Sequence, residues 1–108
     1  MARSGDPEAR YQLGWDLRIG RQVARDPRMA IRWFRAAAES GHVDAQYSAG
    51  HMLATGDGVR KSYREAVRWY GLATAQGHVE AMYNLARRYE FGQGTKRDLR
   101  MAERWYRR

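Results

Sequence analysis

The side chains that most often carry chemistry begin, in this chain of 108 residues, with three histidines, His42, His51 and His78. His42 and His78 stand 36 positions apart, each directly after a glycine, Gly41 or Gly77. Equivalent turns of stacked helical units lie about 8–10 Å or more apart, too far to share a zinc ion with bonds near 2 Å. A structural role in turns is expected for both, in keeping with the preference of histidine for helix ends. His51 has Ala54 and Thr55 at i+3 and i+4, so no second ligand stands beside it on a helix face. The absence of cysteine excludes disulfide frameworks and thiolate zinc sites. Ser40 and Ser48 lack the Gly-x-Ser-x-Gly setting of an esterase nucleophile. Gly56-Asp57-Gly58 and Gly92-Gln93-Gly94 precede no Gly-Lys-Ser/Thr step of a phosphate loop. No pair among the 12 acidic residues reads as a general acid with its base. The sequence therefore assigns no catalytic residue, no metal ligand and no cofactor site.

The elements that hold these residues are repeats. Shifted by 36 positions, the chain matches itself at Ala9/Ala45/Ala81, Tyr11/Tyr47/Tyr83, Gly20/Gly56/Gly92, Arg28/Arg64/Arg100, Ala30/Ala66/Ala102, Arg32/Arg68/Arg104 and Trp33/Trp69/Trp105. Phe34/Tyr70/Tyr106 agrees in chemistry. The copies run over about 6–43, 44–79 and 80–108, the last one short, and together form a single domain over 1–108.

Punctuation divides each copy into two helices. Asp6-Pro7 and Asp26-Pro27 each offer an N-cap acceptor followed by a proline whose missing N–H costs nothing at the first helical position. Ser62 with Glu65 has the spacing of a capping box, and Asp98 fills the same column. Gly20, Gly56 and Gly92, with Gly41 and Gly77, mark helix ends. The first helix is expected at about 7–19, 43–55 and 79–91, the second at about 27–40, 63–76 and 99–108. In the second helix, residues 30, 33, 34, 37 and 38 form an amphipathic stripe, so the Trp33/Trp69/Trp105 column is expected to be core, not a base-stacking platform. Gly14, Gly50 and Ala86 are small where the two helices of a copy could touch.

The run Asp44-Ala45-Gln46-Tyr47 through Gly50, then Gly56-Asp57-Gly58-Val59, Ala66, Trp69-Tyr70 and Gly77-His78, resembles the Sel1-like repeat. The match extends over essentially the whole chain. Gln22 departs from it at the second loop glycine of copy one, and Thr95 at the valine of copy three. The resemblance implies an all-α fold, an α/α superhelical solenoid of about six antiparallel helices related to tetratricopeptide repeats. It also implies scaffolding, with binding of a protein or peptide in place of catalysis.

Two surfaces could carry such binding. On the first helices, positions away from the Ala9, Leu13, Leu17 stripe differ between copies, as a groove specialised in each repeat would. Gln12, Trp15, Ile19, Ser48, His51, Asn84 and Arg87 are the candidate groove residues. On the second helices, Arg28, Arg32, Arg64, Arg68, Arg100 and Arg104 form basic columns suited to an acidic protein, a nucleic acid or another polyanion. The formal net charge of +8 favours such partners, but 18 of the 20 cations are arginine, a skew that a GC-rich bacterial genome produces unaided, so nucleic acid ranks below protein. No apolar run approaches the roughly 18 residues of a membrane span. Met1-Ala2-Arg3-Ser4-Gly5 has no secretory core after it, so the chain as written is expected in the cytoplasm. Trp105 and Tyr106, in a last helix cut short, are expected to leave an apolar patch that loosens the helix or drives self-association.

Overall fold

The computed structural model describes residues 5–107. Met1–Ser4, which open the segment expected to lack a secretory core, and the expected helix end at Arg108 lie outside the described residues. Six helices follow one another, α1 Pro7–Ile19, α2 Pro27–Glu39, α3 Val43–Thr55, α4 Tyr63–Ala75, α5 Val79–Phe91 and α6 Leu99–Tyr106. Each packs on its neighbours in sequence, α1 on α2, α2 on α3 and onward to α6, which produces a rod of 44 × 25 × 17 Å. The architecture is an all-α solenoid of helix pairs.

The caps explain where the helices begin. Asp26 accepts from the Met29 amide at 3.1 Å, Asp98 from Met101 at 3.0 Å and Ser62 from Glu65 at 3.2 Å. The expected capping box at Ser62 is only half made, because the Glu65 carboxylate turns away to Arg35 and Trp69. His42 and His78 take their structural role at the N-terminal helix end: they open α3 and α5, each Nδ1 accepting from the amide of Ala45 or Ala81 at 3.1 Å. An imidazole nitrogen lone pair thus does the work usually given to Ser or Asp.

Alanine and glycine let the layers close. Ala30, Ala37, Ala45, Ala49, Ala66, Ala73 and Ala81 are fully buried between helices. A Cβ on Gly14 would lie 2.7 Å from the Phe34 ring, and one on Gly50 2.9 Å from the Tyr70 ring, so α1 and α3 sit directly on those aromatics. Burying a ring of this size is worth about 1.5–3 kcal/mol. Ala86 supplies that Cβ in the third copy, and there the equivalent Tyr106 is 42% exposed, its hydroxyl 2.6 Å from Glu90.

The tryptophan column is not uniformly core. Trp69 is buried and turns toward α2, donating to Glu65 at 3.0 Å while Arg35 grips the same carboxylate at 2.6 and 2.7 Å. Trp105 is half-buried against the core. Trp33 has no helix pair before α1 to face among the described residues and is half-buried beside Met29, Arg32 and Ala36. Copies one and two are further joined where Arg18 and Arg25 each reach Asp57 at 3.0 Å. Between copies two and three the equivalent ties are gone, and the buried Arg88 lies 4.9 Å over the Tyr63 ring.

Candidate functional site

The first helices present a second row of 36-residue recurrences. Glu8, Asp44 and Glu80 stand in the first turns of α1, α3 and α5, three residues before Tyr11, Tyr47 and Tyr83. An i, i+3 spacing puts acid and tyrosine on one helix face. The capping histidine of the next repeat completes the group. His42 stacks on Tyr11 with centroids 4.6 Å apart, and His78 on Tyr47 at 4.7 Å. With Nδ1 accepting from the helix amide, the proton sits on Nε2, which donates to Glu8 at 2.6 Å in the first junction and lies 3.7 Å from Asp44 in the second. Hydrogen bonds from Gln12 and His42 hold the Glu8 carboxyl below its ordinary range. These histidines are therefore joints between repeats.

Beside the second joint the helices part into a cleft of about 360 Å³. Tyr11, Trp15 and Arg18 of α1 form one wall, Asp44, Tyr47, Ser48 and His51 of α3 the other, and His78 with Glu80 closes it at the start of α5. Trp15 packs edge-on to Tyr11 at 6.4 Å and carries the Arg18 guanidinium 5.0 Å over its ring. His51 stacks on Tyr47 at 5.9 Å. Burial pushes the His51 imidazole below its ordinary value, and the nearby Arg18 adds to that, opposed by Asp57 and Glu80. Tyr47 is raised by burial and by Glu80.

Of the seven groove candidates, Trp15, Ser48 and His51 meet around this cleft. Asn84 stands at its edge, bonded to the Glu80 carbonyl at 2.9 Å and acting on the Tyr47 hydroxyl. Gln12, Ile19 and Arg87 are exposed and do not line the cleft; Gln12 donates to Glu8 at 3.0 Å. Tyr11, Tyr47, Asp44 and Glu80 are wall residues that sequence reasoning missed as such. The signal for them in the sequence is the acid-x-x-Tyr recurrence at 8/11, 44/47 and 80/83. On the second helices Arg28, Arg32, Arg64, Arg68, Arg100 and Arg104 are all exposed, and none forms an ion pair among the described residues. Among the same residues no three His, Asp or Glu side chains gather as a metal site, and no helix is long and apolar enough to cross a membrane.

The family pattern described as Sel1 repeat matches residues 7–42, 43–78 and 79–108. The chain belongs to the Sel1 repeat family. Among solved structures it is similar to a protective antigen of uropathogenic Escherichia coli strains with an SLR fold, at 36% identity and a TM-score of 0.90 over 96% of this chain and 22% of that one. A Sel1 repeat protein from Oxalobacter formigenes is similar at 32% identity and a TM-score of 0.90, over 95% of this chain and 42% of that one. The chain thus spans less than half the length of either. The cysteine rich protein B of Helicobacter pylori shares the fold at 14% identity, with a TM-score of 0.71 over 94% of this chain and 84% of that one. Among curated proteins none matches. Sel1 repeat proteins generally mediate protein–protein interactions, on a scaffold that is generally non-catalytic.

Proposed function

We propose that this Sel1 repeat chain is a non-catalytic scaffold that holds a peptide or protein segment against its first-helix face, over Gln12, Trp15, Ile19, Ser48, His51, Asn84 and Arg87. The observation that carries the reading is the convergence of Trp15 from α1 with Ser48 and His51 from α3 on one cleft of about 360 Å³. That volume is in the range of sites that take a few side chains of a ligand. The walls are aromatic, which gives contact area at low entropic cost and is typical of interface hot spots. The test is affinity capture from the native host at about 1 M salt, where exposed charges are screened beyond about 3 Å. A partner held by the wild type and lost by the Trp15→Ala/His51→Ala variant supports the groove. Capture that is indifferent to both changes removes it.

A second reading has its own observation, the exposed and unpaired arginine columns of α2, α4 and α6. They suit a polyanion or an acidic protein, held by a charge term that falls steeply with salt. Binding to generic DNA or RNA at about 50 mM salt that vanishes on neutralising Arg28, Arg64 and Arg100 supports it. No binding under that condition, which favours phosphate contacts, removes it.

A further inference from the structure

The cleft is acidic in a basic protein. The chain has 20 Lys and Arg against 12 Asp and Glu, so its carboxylates have cations in excess to pair with. Among the described residues only Asp57, Glu65 and Glu103 pair with arginines, at 3.0, 2.6 and 2.7 Å. Asp44 and Glu80, on the cleft wall, have no Lys or Arg within the same reach among the described residues. The basic group nearest Asp44 is His78, at 3.7 Å.

Independent of the carboxylates, two polar side chains between them lack a hydrogen-bond partner among the described residues. Ser48 is only 4% exposed, lines the cleft, and its hydroxyl makes no hydrogen bond to another described residue. The ring nitrogens of His51 make none either. Arg18, the one Lys or Arg in the lining, is committed to Asp57 at 3.0 Å. The cleft thus offers two carboxylates, a hydroxyl and an imidazole beside the rings of Tyr11, Trp15 and Tyr47, which already stack with His42, Arg18 and His78. Its one resident guanidinium, Arg18, is turned to Asp57, which leaves Asp44 and Glu80 without a cation of several N–H donors.

Resting on the reading of this face as a peptide site, we infer that the cleft receives an arginine side chain of the bound partner. A guanidinium is planar, presents five donors in a fixed fork, and stacks on aromatic rings while pairing with carboxylates. Arg18 over Trp15 at 5.0 Å shows one aromatic wall already holding such a group. An ammonium is a compact, strongly hydrated point charge that uses the flat walls less well. An acidic side chain would meet Asp44 and Glu80 and be repelled. The two faces of the solenoid then have opposite preferences, with acid and aromatic rows on the first helices and arginine columns on the second.

The experiment pans a random twelve-residue peptide library against the full chain, with the Trp15→Ala/His51→Ala variant as counter-screen. Peptides that bind the wild type, fail on that variant and share an arginine are the expected result. Replacing that arginine by citrulline, which keeps the shape and removes the charge, should weaken binding about tenfold or more, the scale of one charged hydrogen-bonded contact. Asp44→Asn/Glu80→Gln, checked for unchanged helix content by circular dichroism, should weaken it similarly. The citrulline loss should then shrink in that background, as coupled partners do. Groove-dependent peptides enriched in lysine, in acids or in no residue overturn the arginine inference and leave the groove standing. Peptides that never depend on Trp15 and His51 overturn both.

Discussion

Placing a methyl group on Gly94 tests how the repeats are stacked. Gly94 has φ +78°, and a Cβ built there would lie 2.3 Å from the Tyr63 carbonyl oxygen and 2.8 Å from the Arg64 amide, backbone atoms that cannot rotate away. Gly58 holds the same place one repeat earlier, where a Cβ would lie 2.3 Å from the Pro27 ring. Each loop therefore presses on the first turn of the second helix in the preceding copy. Gly41 isolates the conformational part, since it has φ +90° with nothing within 4 Å of a Cβ. Left-handed backbone costs an L-residue about 1–2 kcal/mol, and forcing a rigid contact apart adds about 1–3 kcal/mol. Gly41→Ala should therefore cost only the first amount, and Gly94→Ala or Gly58→Ala both. Gln22 occupies the equivalent loop position of copy one at φ 66°, the one non-glycine with positive φ among the described residues. Gln22→Gly should stay within about 1 kcal/mol of neutral, because relieved strain is offset by extra freedom in the unfolded chain. Urea unfolding followed by circular dichroism measures all four, and each kcal/mol should also move the melting temperature by about 4–8 °C. Equal costs for Gly94→Ala and Gly41→Ala, within about 0.5 kcal/mol, refute the stacking argument.

Two interior substitutions borrow a residue from another copy. The Tyr70 hydroxyl is buried with no protein partner, where copy one has Phe34, and Arg88 is buried with its Nε unpartnered and no carboxylate in ion-pair range, where copy two has the fully buried Met52. Tyr70→Phe and Arg88→Met are each expected to be neutral or to stabilise by about 1 kcal/mol, read from urea midpoints; a loss above about 1 kcal/mol contradicts the reading. Stability should fall with pH in two steps. His51, depressed mainly by burial, loses its contribution as pH drops from about 6.5, its unfolded value, through its folded value, because the unfolded chain protonates first. Glu65, depressed by the hydrogen bond from Arg35, loses its own as pH drops from about 4.3 through its folded value. His51→Gln should flatten the upper step alone in a series of thermal melts, and an unchanged upper step assigns it elsewhere. In a monomeric sample, amides of residues 99–106 should exchange with solvent faster than those of 63–75, since α6 has 8 residues against 13 in α4 and leaves Leu99 and Tyr106 exposed. Equal protection removes that expectation.

Local chemistry was legible in the sequence because it is decided within a few residues. The Asp26, Ser62 and Asp98 caps, the terminal glycines and the helical stripe act over one or two turns, and they located all six helices. Recurrence at 36 residues then implied the stacking of pairs, since a helix pair that cannot bury its own apolar face must bury it on a copy of itself. Contacts between copies were decided only by the tertiary structure. Whether a capping histidine stacks on the tyrosine of the repeat before it, as His42 does on Tyr11, whether the tryptophan of a column has a helix before it to face, and whether an arginine finds a carboxylate 39 residues away, as Arg18 finds Asp57, all depend on how one repeat is turned against the next. The cleft shows the same division: Trp15, Ser48 and His51 could be picked out on their helices, and the acid-x-x-Tyr recurrence marks Tyr11, Asp44, Tyr47 and Glu80, but only the tertiary structure decides that they share one cleft. A residue's own helix fixes the face it occupies, and only the angle between repeats fixes which faces meet and where they leave a gap.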